Sequence, residues 1–333
     1  MSSADQSLPV VIRQKDGIEV DAGERVLLDS RNARGDVNFV SHAHFDHMHQ
    51  QEDSEIVCSD LTAALCKARS GKEFDHVTGT ESIELLPSGH ILGSSAALIQ
   101  GDETVLYTGD VATRDRAYIE GFEPVDADTL IVETTYGIPA YTFPEQESIE
   151  SRIKRWIEDN SDRPLYLFAY SLGKAQKVQH LIQDVTDRPL VAHGSVTNMN
   201  DVVSGSTELE FDAVPYTENR ELLRNGEGIF IGPTRFARDD SLNELVDETG
   251  GLKAGFSGWA VSDSYQYRGG YDEAFPLSDH CDFEDLVALV REVDPEKVYT
   301  THGYDEAFAA YLKREHGYDA RALKKNQTSL SDF

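Results

Sequence analysis

A chain of 333 residues with 60 acidic and 30 basic side chains carries a formal charge of −30. Its length supports a sizeable core, and 39% hydrophobic residues, 9% of residues aromatic, exclude a disordered, collagen-like or low-complexity chain. So acidic a balance argues against a polyanion partner, but acid spread along the whole chain is also the pattern of a protein kept hydrated in concentrated salt, and this halophile-type reading leaves nucleic acid open.

The opening run MSSADQSLPVVIRQKDG lacks the basic and apolar blocks of a leader, and no stretch approaches ~18 consecutive apolar residues. A cytoplasmic protein with no membrane partner is expected. Short β-rich runs separated by polar turns follow at 26–29, 38–41, 83–86, 96–100, 104–108 and 129–133, which reads as a hairpin-dominated segment. From about Phe143 the pattern becomes an inserted α/β unit: a helix over 146–158, a buried strand at 165–170, a helix beginning near Gly173, and strands at 190–193 and 229–232. The chain then predicts a helix over 282–293, a strand at 297–301 and a helix over 306–316. Cys58, Cys66 and Cys281 are widely spaced and read as reduced thiols with no special role.

The strongest chemical signal is Ser41-His42-Ala43-His44-Phe45-Asp46-His47, directly after the β-type run VNFV. His42 and His44 alternate from a strand end onto one side while Asp46 and His47 turn the other way, so one short loop can serve two adjacent cations. Imidazole and carboxylate ligands suit zinc, with manganese or iron as alternatives. His49, just beyond, is assigned to the surface.

This loop resembles the HxHxDH motif of the metallo-β-lactamase superfamily. Asp29 at the end of VLLD matches the buried aspartate that orients the metal loop, His90 in SGHILGSS matches the next histidine ligand, and Asp110 in LYTGD matches the carboxylate shared by both metals. Glu133 in LIVETTYG, His280 in LSDHCDF and His302 in YTTHGY match the further motifs of the β-CASP nuclease branch. The resemblance implies an α/β fold, an αββα metallo-β-lactamase sandwich with an inserted short β-CASP α/β cassette. Its parts would be the sandwich at 1–143, the cassette at 144–257, the rest of the sandwich at 258–322 and a tail at 323–333. Within the cassette, Gly173 and Lys174 in FAYSLGKAQKVQHL are candidates for a phosphate contact, an ordinary helix start being the alternative.

By the same resemblance, His42, His44, His90 and Asp110 hold one divalent metal, and Asp46, His47, His302 and Asp110 hold the other. Zinc is favoured and manganese is the alternative. Asp46 counts among the catalytic residues; His280 would protonate the leaving oxygen of a phosphodiester, with Glu133 hydrogen-bonded to it, after attack by a hydroxide shared between the metals. His302 tilts the branch towards RNA, while the compact chain, LSDHCDF, THGY and the short cassette resemble ligase-associated DNA exonucleases. In the tail, Lys324 and Lys325 precede Gln327, Leu330 and Phe333, which resemble the clamp-binding peptide QxxLxxF; a polar tail ending in Phe by accident is the alternative. The expectation is a two-metal DNA exonuclease of replication or repair, with a sliding clamp and a DNA ligase as partners. An RNA-processing nuclease, a small-thioester hydrolase and a non-catalytic clamp-tethered scaffold are the alternatives.

Overall fold

The computed structural model describes residues 10–50 and 54–324, so Gln327, Leu330 and Phe333 lie outside the described residues. The chain divides into two compact units. The first is built from residues up to 113 together with 121–140 and 280 onward, the second from 114–120 and 141–279.

The first unit contains two six-stranded sheets. One runs, in spatial order, Val11–Gln14, Ile18–Asp21, Arg25–Leu28, Val37–Phe39, Ile56–Val57 and His76–Val77. The other runs Asp319–Ala322, Lys297–Thr301, Thr129–Glu133, Val105–Tyr107, Ser95–Ile99 and Ile83–Pro87. Strand alternation explains how both faces of the second sheet are used. Ala97, Ile99, Val105, Tyr107 and Ile131 join Val20, Val26, Leu28 and Phe39 of the first sheet in one core, with Phe39 meeting Tyr107 edge-on at 6.1 Å. Their neighbours Ala96, Leu106, Leu130 and Val132 point the other way, onto the helix Phe283–Val293. That helix buries Phe283, Leu286, Val287, Val290 and Val293, the helical spacing of one apolar stripe, and Asp282 caps its start by accepting from the Asp285 N–H at 2.8 Å.

The hairpin-dominated reading of the first third is corrected in part. Neighbouring strands up to Leu28 and from Ile83 to Tyr107 are antiparallel, but Arg25–Leu28 to His76–Val77 pair in parallel, as do Val105–Tyr107, Thr129–Glu133 and Lys297–Thr301. The crossover to His76–Val77 is the helix Asp60–Ser70, capped by Ser59 and ended by Gly71 at φ 72°. Its buried face is Thr62, Ala63, Leu65 and Cys66, with too few large apolar residues to show a clear helical period. The last helix, Asp305–Tyr311, passes into a wider π-type turn at Leu312–His316.

The second unit is a wholly parallel six-stranded sheet in the order Val214–Pro215, Leu190–Ala192, Ile229–Pro233, Leu165–Ala169, Leu252–Phe256 and Glu273–Phe275. Its central strands LYLFA and IFIGP are buried throughout, as strands covered on both faces must be. The helix Gln146–Asp159 lays Ile149, Ile153 and Ile157 on one face of the sheet. The expected cassette at 144–257 falls inside this unit, which runs on to 279 because Glu273–Phe275 pairs with Leu252–Phe256. No helix among the described residues is long and apolar enough to cross a membrane.

Candidate metal centre

The candidate ligands in the first unit, and the carboxylates that orient the site, lie at or after the carboxyl ends of strands. Asp29 follows Arg25–Leu28, His42 follows Val37–Phe39, Asp110 follows Val105–Tyr107 and His302 follows Lys297–Thr301, while Glu133 closes its own strand. Because these strands are parallel neighbours, their ends deliver the side chains to one edge of the two sheets.

Four ligand atoms converge in the first cluster. His42 Nε2 lies 3.1 Å from His44 Nδ1 and 3.4 Å from Asp110 Oδ2; His90 Nε2 lies 3.2 Å from His44 Nδ1 and 3.5 Å from the same oxygen. Edges near 3.3 Å belong to a tetrahedron whose corners stand ~2.0 Å from its centre, the zinc–nitrogen distance. Burial, reinforced by the neighbouring His47, draws His42 well below the usual imidazole range, which keeps the ring neutral, the form a cation requires.

The second cluster joins His47, Asp110 and His302. His47 Nε2 is buried, has no hydrogen-bond partner, and faces Asp110 Oδ1 at 3.5 Å and Asp46 Oδ2 at 3.8 Å. A buried imidazole nitrogen with no hydrogen-bond partner, facing the carboxylates of Asp110 and Asp46, is what a cation would satisfy. Burial opposes charge on His47, but Asp110 and Asp29 outweigh it and raise its imidazole to about 10, so without a cation the ring holds a proton. Burial raises Asp110. Asp46 itself is exposed at the mouth of this cluster.

Asp29 organises the loop. It accepts from Ser41 N–H (2.7 Å), Ser41 Oγ (2.6 Å), His47 Nδ1 (2.8 Å) and the Tyr107 hydroxyl (2.7 Å). The His47 bond turns Nε2 towards Asp110. Since Ser41 gives its proton to Asp29, His42 Nδ1 must donate to Ser41 Oγ at 2.9 Å, which leaves His42 Nε2 as a lone pair facing the first cluster. Burial beside Asp29 pushes the Tyr107 phenol well above its usual range, so it remains a donor. Gly109, at φ 55°, lets the Asp110 turn approach: a Cβ there would stand 2.6 Å from Ser41 Cβ.

His280 Nδ1 lies 2.7 Å from Glu133 Oε1, whose other oxygen accepts from Thr135 N–H at 2.8 Å. Burial resists the Glu133 charge, but the His280 ring and Thr135 win, and the carboxyl falls to about 2. The His280 ring stands 4.5 Å from the His90 ring, between centroids. His302 adopts φ 61°, a costly left-handed conformation for a histidine. Thr134 holds it there, with Oγ1 donating to His302 O at 2.5 Å and its own carbonyl accepting from Tyr304 N–H at 2.8 Å.

Two expectations are corrected. His49 is buried, with its ring edge-on to Phe74 at 4.4 Å. Gly173 and Lys174 do not present a phosphate cradle: the Gly173 N–H donates to Gln176 Oε1 at 2.8 Å, and the buried Lys174 Nζ sits 3.0 Å from Asp279. Lys177 is buried on the same carboxylate. The three cysteines are free and buried, burial pushing the Cys66 thiol up to about 12.

Sequence reasoning missed Ser41 and Thr134, which bond to the candidate ligands His42 and His302, and Tyr107, which bonds to Asp29; none of the three is a ligand type. It also missed Phe45, 63% exposed between the candidate ligands His44 and Asp46, with the Arg69 guanidinium 4.2 Å from its ring centroid.

A mixed α/β sandwich carrying two facing His/Asp clusters defines a metallo-hydrolase scaffold. A family model described as the Zn-dependent metallo-hydrolase RNA specificity domain matches residues 273–323. A probable DNA ligase of Opitutus terrae is 33% identical over 308 residues, covering 88% of this chain and 29% of the relative. Probable RNase MJ4 of Methanocaldococcus jannaschii is 28% identical over 172 residues (38% of this chain, 40% of the relative), and protein artemis of Gallus gallus 32% over 167 (38% and 23%). The chain thus spans less than half the length of each of these relatives. A crystal structure of a protein of unknown function from Enterococcus faecalis V583 shares the fold, with a TM-score of 0.59 at 16% identity over 88% of this chain and 80% of that one. The chain belongs to the metallo-β-lactamase/β-CASP nuclease family.

Proposed function

We propose that this protein is a two-metal phosphodiesterase, a DNA exonuclease of replication or repair acting in the cytoplasm. The observation that carries the reading is Asp110, whose two carboxylate oxygens face separate histidine clusters, Oδ2 towards His42 and His90 and Oδ1 towards His47. His42, His44 and His90 would hold one divalent cation and His47, His302 and Asp46 the other, with Asp110 shared and zinc favoured over manganese.

Cations bound there would acidify water and screen the phosphate charge. The side chains do the rest. Asp29 orients His47 through Nδ1, and Ser41 orients His42 through its Nδ1. Glu133 takes the Nδ1 side of His280, so the proton for the leaving oxygen is delivered from Nε2.

DNA is favoured because a relative that matches over 88% of this chain is named a probable DNA ligase, a natural companion for an end-processing nuclease. Gln327, Leu330 and Phe333 would tether the enzyme to a sliding clamp; removing the last seven residues should then abolish clamp binding in calorimetry and leave free-substrate turnover unchanged. A second reading, an RNA nuclease, is favoured by one observation: the matched RNA-specificity model spans His302. The test is digestion of end-labelled and circular DNA and RNA with zinc or manganese. Release of nucleotides from DNA ends supports the proposal, preferential RNA cleavage supports the second reading, and cleavage of neither refutes both.

A further inference from the structure

The second unit holds a cavity of about 730 Å³ whose lining includes Arg235, Arg238 and Arg268 with Tyr141, Trp259 and Tyr265. Acidic side chains outnumber basic ones two to one in this chain, and Arg152, Arg224 and Arg314 each pair with a carboxylate. Among the described residues, Arg235, Arg238 and Arg268 make no ion pair, yet all three are exposed and line this cavity. Guanidinium groups that line one cavity without an ion-pair partner repel one another and are offered to an anion.

The place of the cavity fits a ligand site. The turn Thr234–Arg238 directly follows the strand Ile229–Pro233, and the turn Gly258–Val261 follows Leu252–Phe256 by one residue. These two strands lie on either side of Leu165–Ala169. From that central strand the chain builds the sheet first to one side, through Leu190–Ala192, then returns and crosses to the other, through Leu252–Phe256. The cavity is therefore at the carboxyl ends of parallel strands where the winding direction switches, the place where such sheets leave a crevice between diverging loops. The walls are suited to planar groups: Trp259 meets Tyr141 edge-on at 5.0 Å, and Tyr265 stacks on Tyr271 at 5.6 Å.

We propose that this cavity binds single-stranded nucleic acid, the three arginines contacting successive phosphates and Trp259 or Tyr141 stacking on a base. The site deepens the nuclease reading, but it works without metal, so the two can fail separately. An anionic protein segment would use the arginines alone; the aromatic walls favour a strand with bases.

The test measures binding of short fluorescein-labelled DNA and RNA single strands, and of labelled heparin, to the full chain in EDTA across a salt series. The combined variant Arg235→Ala, Arg238→Ala, Arg268→Ala should bind strands at least ~10-fold more weakly. Its log-affinity against log-salt slope should flatten by about 2, three lost contacts at ~0.7 each. Trp259→Ala should weaken strand binding by about 5- to 100-fold and spare heparin, which has no base to stack. Circular dichroism and metal content identify variants that remain folded. A folded triple variant with unchanged affinity and slope overturns the proposal, as does equal loss of strand and heparin binding in Trp259→Ala. A wild type that binds strands through these residues but cleaves none would refute the nuclease reading and leave this site standing.

Discussion

Glu133 grips His280 through a 2.7 Å hydrogen bond from the imidazole Nδ1 to a carboxylate oxygen that is itself buried. This fixes the ring as a directed proton donor. His280→Ala should keep its metals and substrate affinity and lose cleavage by ~100-fold or more, with rescue on substrates whose leaving group has a low pKa. Loss of metal together with an equal effect on all leaving groups would make His280 a ligand instead.

The same pair predicts a pH dependence of stability. Glu133 falls from an ordinary 4.5 to about 2 in the fold, so its contribution is fully present above pH 4.5 and disappears as pH falls towards 2. Over that interval the wild type should lose about 3 kcal/mol more than Glu133→Gln, as measured by denaturant unfolding. Parallel curves would show that the pair is not ionic in the fold.

Asp29 reaches the second cluster through His47. Asp29→Ala should lower metal affinity ~10–100-fold, and Tyr107→Phe, which removes one of its donors, should lower it less. Because Asp110 and Asp29 hold a proton on His47 when no cation is present, metal uptake near pH 8 should release that proton. Calorimetry in buffers of different ionisation enthalpy measures it; buffer-independent heats would contradict the assignment.

Gly303 sits at φ 57°, and a Cβ there would stand 2.3 Å from the Thr134 carbonyl oxygen. Gly303→Ala should therefore cost at least about 1–3 kcal/mol through strain alone and move His302. The expected signature is loss of one of two bound metals, with the other retained; loss of neither would show that His302 is not a ligand.

Asp279 carries both buried amino groups of Lys174 and Lys177, which burial draws below the usual lysine range. Asp279→Ala would leave them unpaired, and a loss of about 3–5 kcal/mol is expected. A loss below 1 kcal/mol would show that water reaches the cluster.

The sequence made the metal loop legible because four ligand types within a few residues leave little other use for them. The strand of Glu133 was legible to the residue, since Thr129–Glu133 is buried throughout and bounded by turns. The parallel pairing around it was not, because strand polarity lies in the connections, and the crossover helix Asp60–Ser70 buries a threonine, an alanine and a cysteine where a stronger signal needs large apolar residues. Lys174 looked like a phosphate ligand because its residue type and glycine neighbour fit one, while its carboxylate partner is more than a hundred positions away at Asp279. The arginine cavity was invisible for the same reason: Arg235, Arg238, Trp259 and Arg268 line one cavity only after two strands have been laid beside a third.

The most direct test of the two-metal account is a titration of zinc or manganese into metal-free protein while cleavage of a labelled oligonucleotide is followed. Turnover should rise to its plateau at two equivalents per chain, and Asp110→Ala should show none. Full turnover at one equivalent, or no cleavage of DNA or RNA at two in a folded wild type, would contradict it.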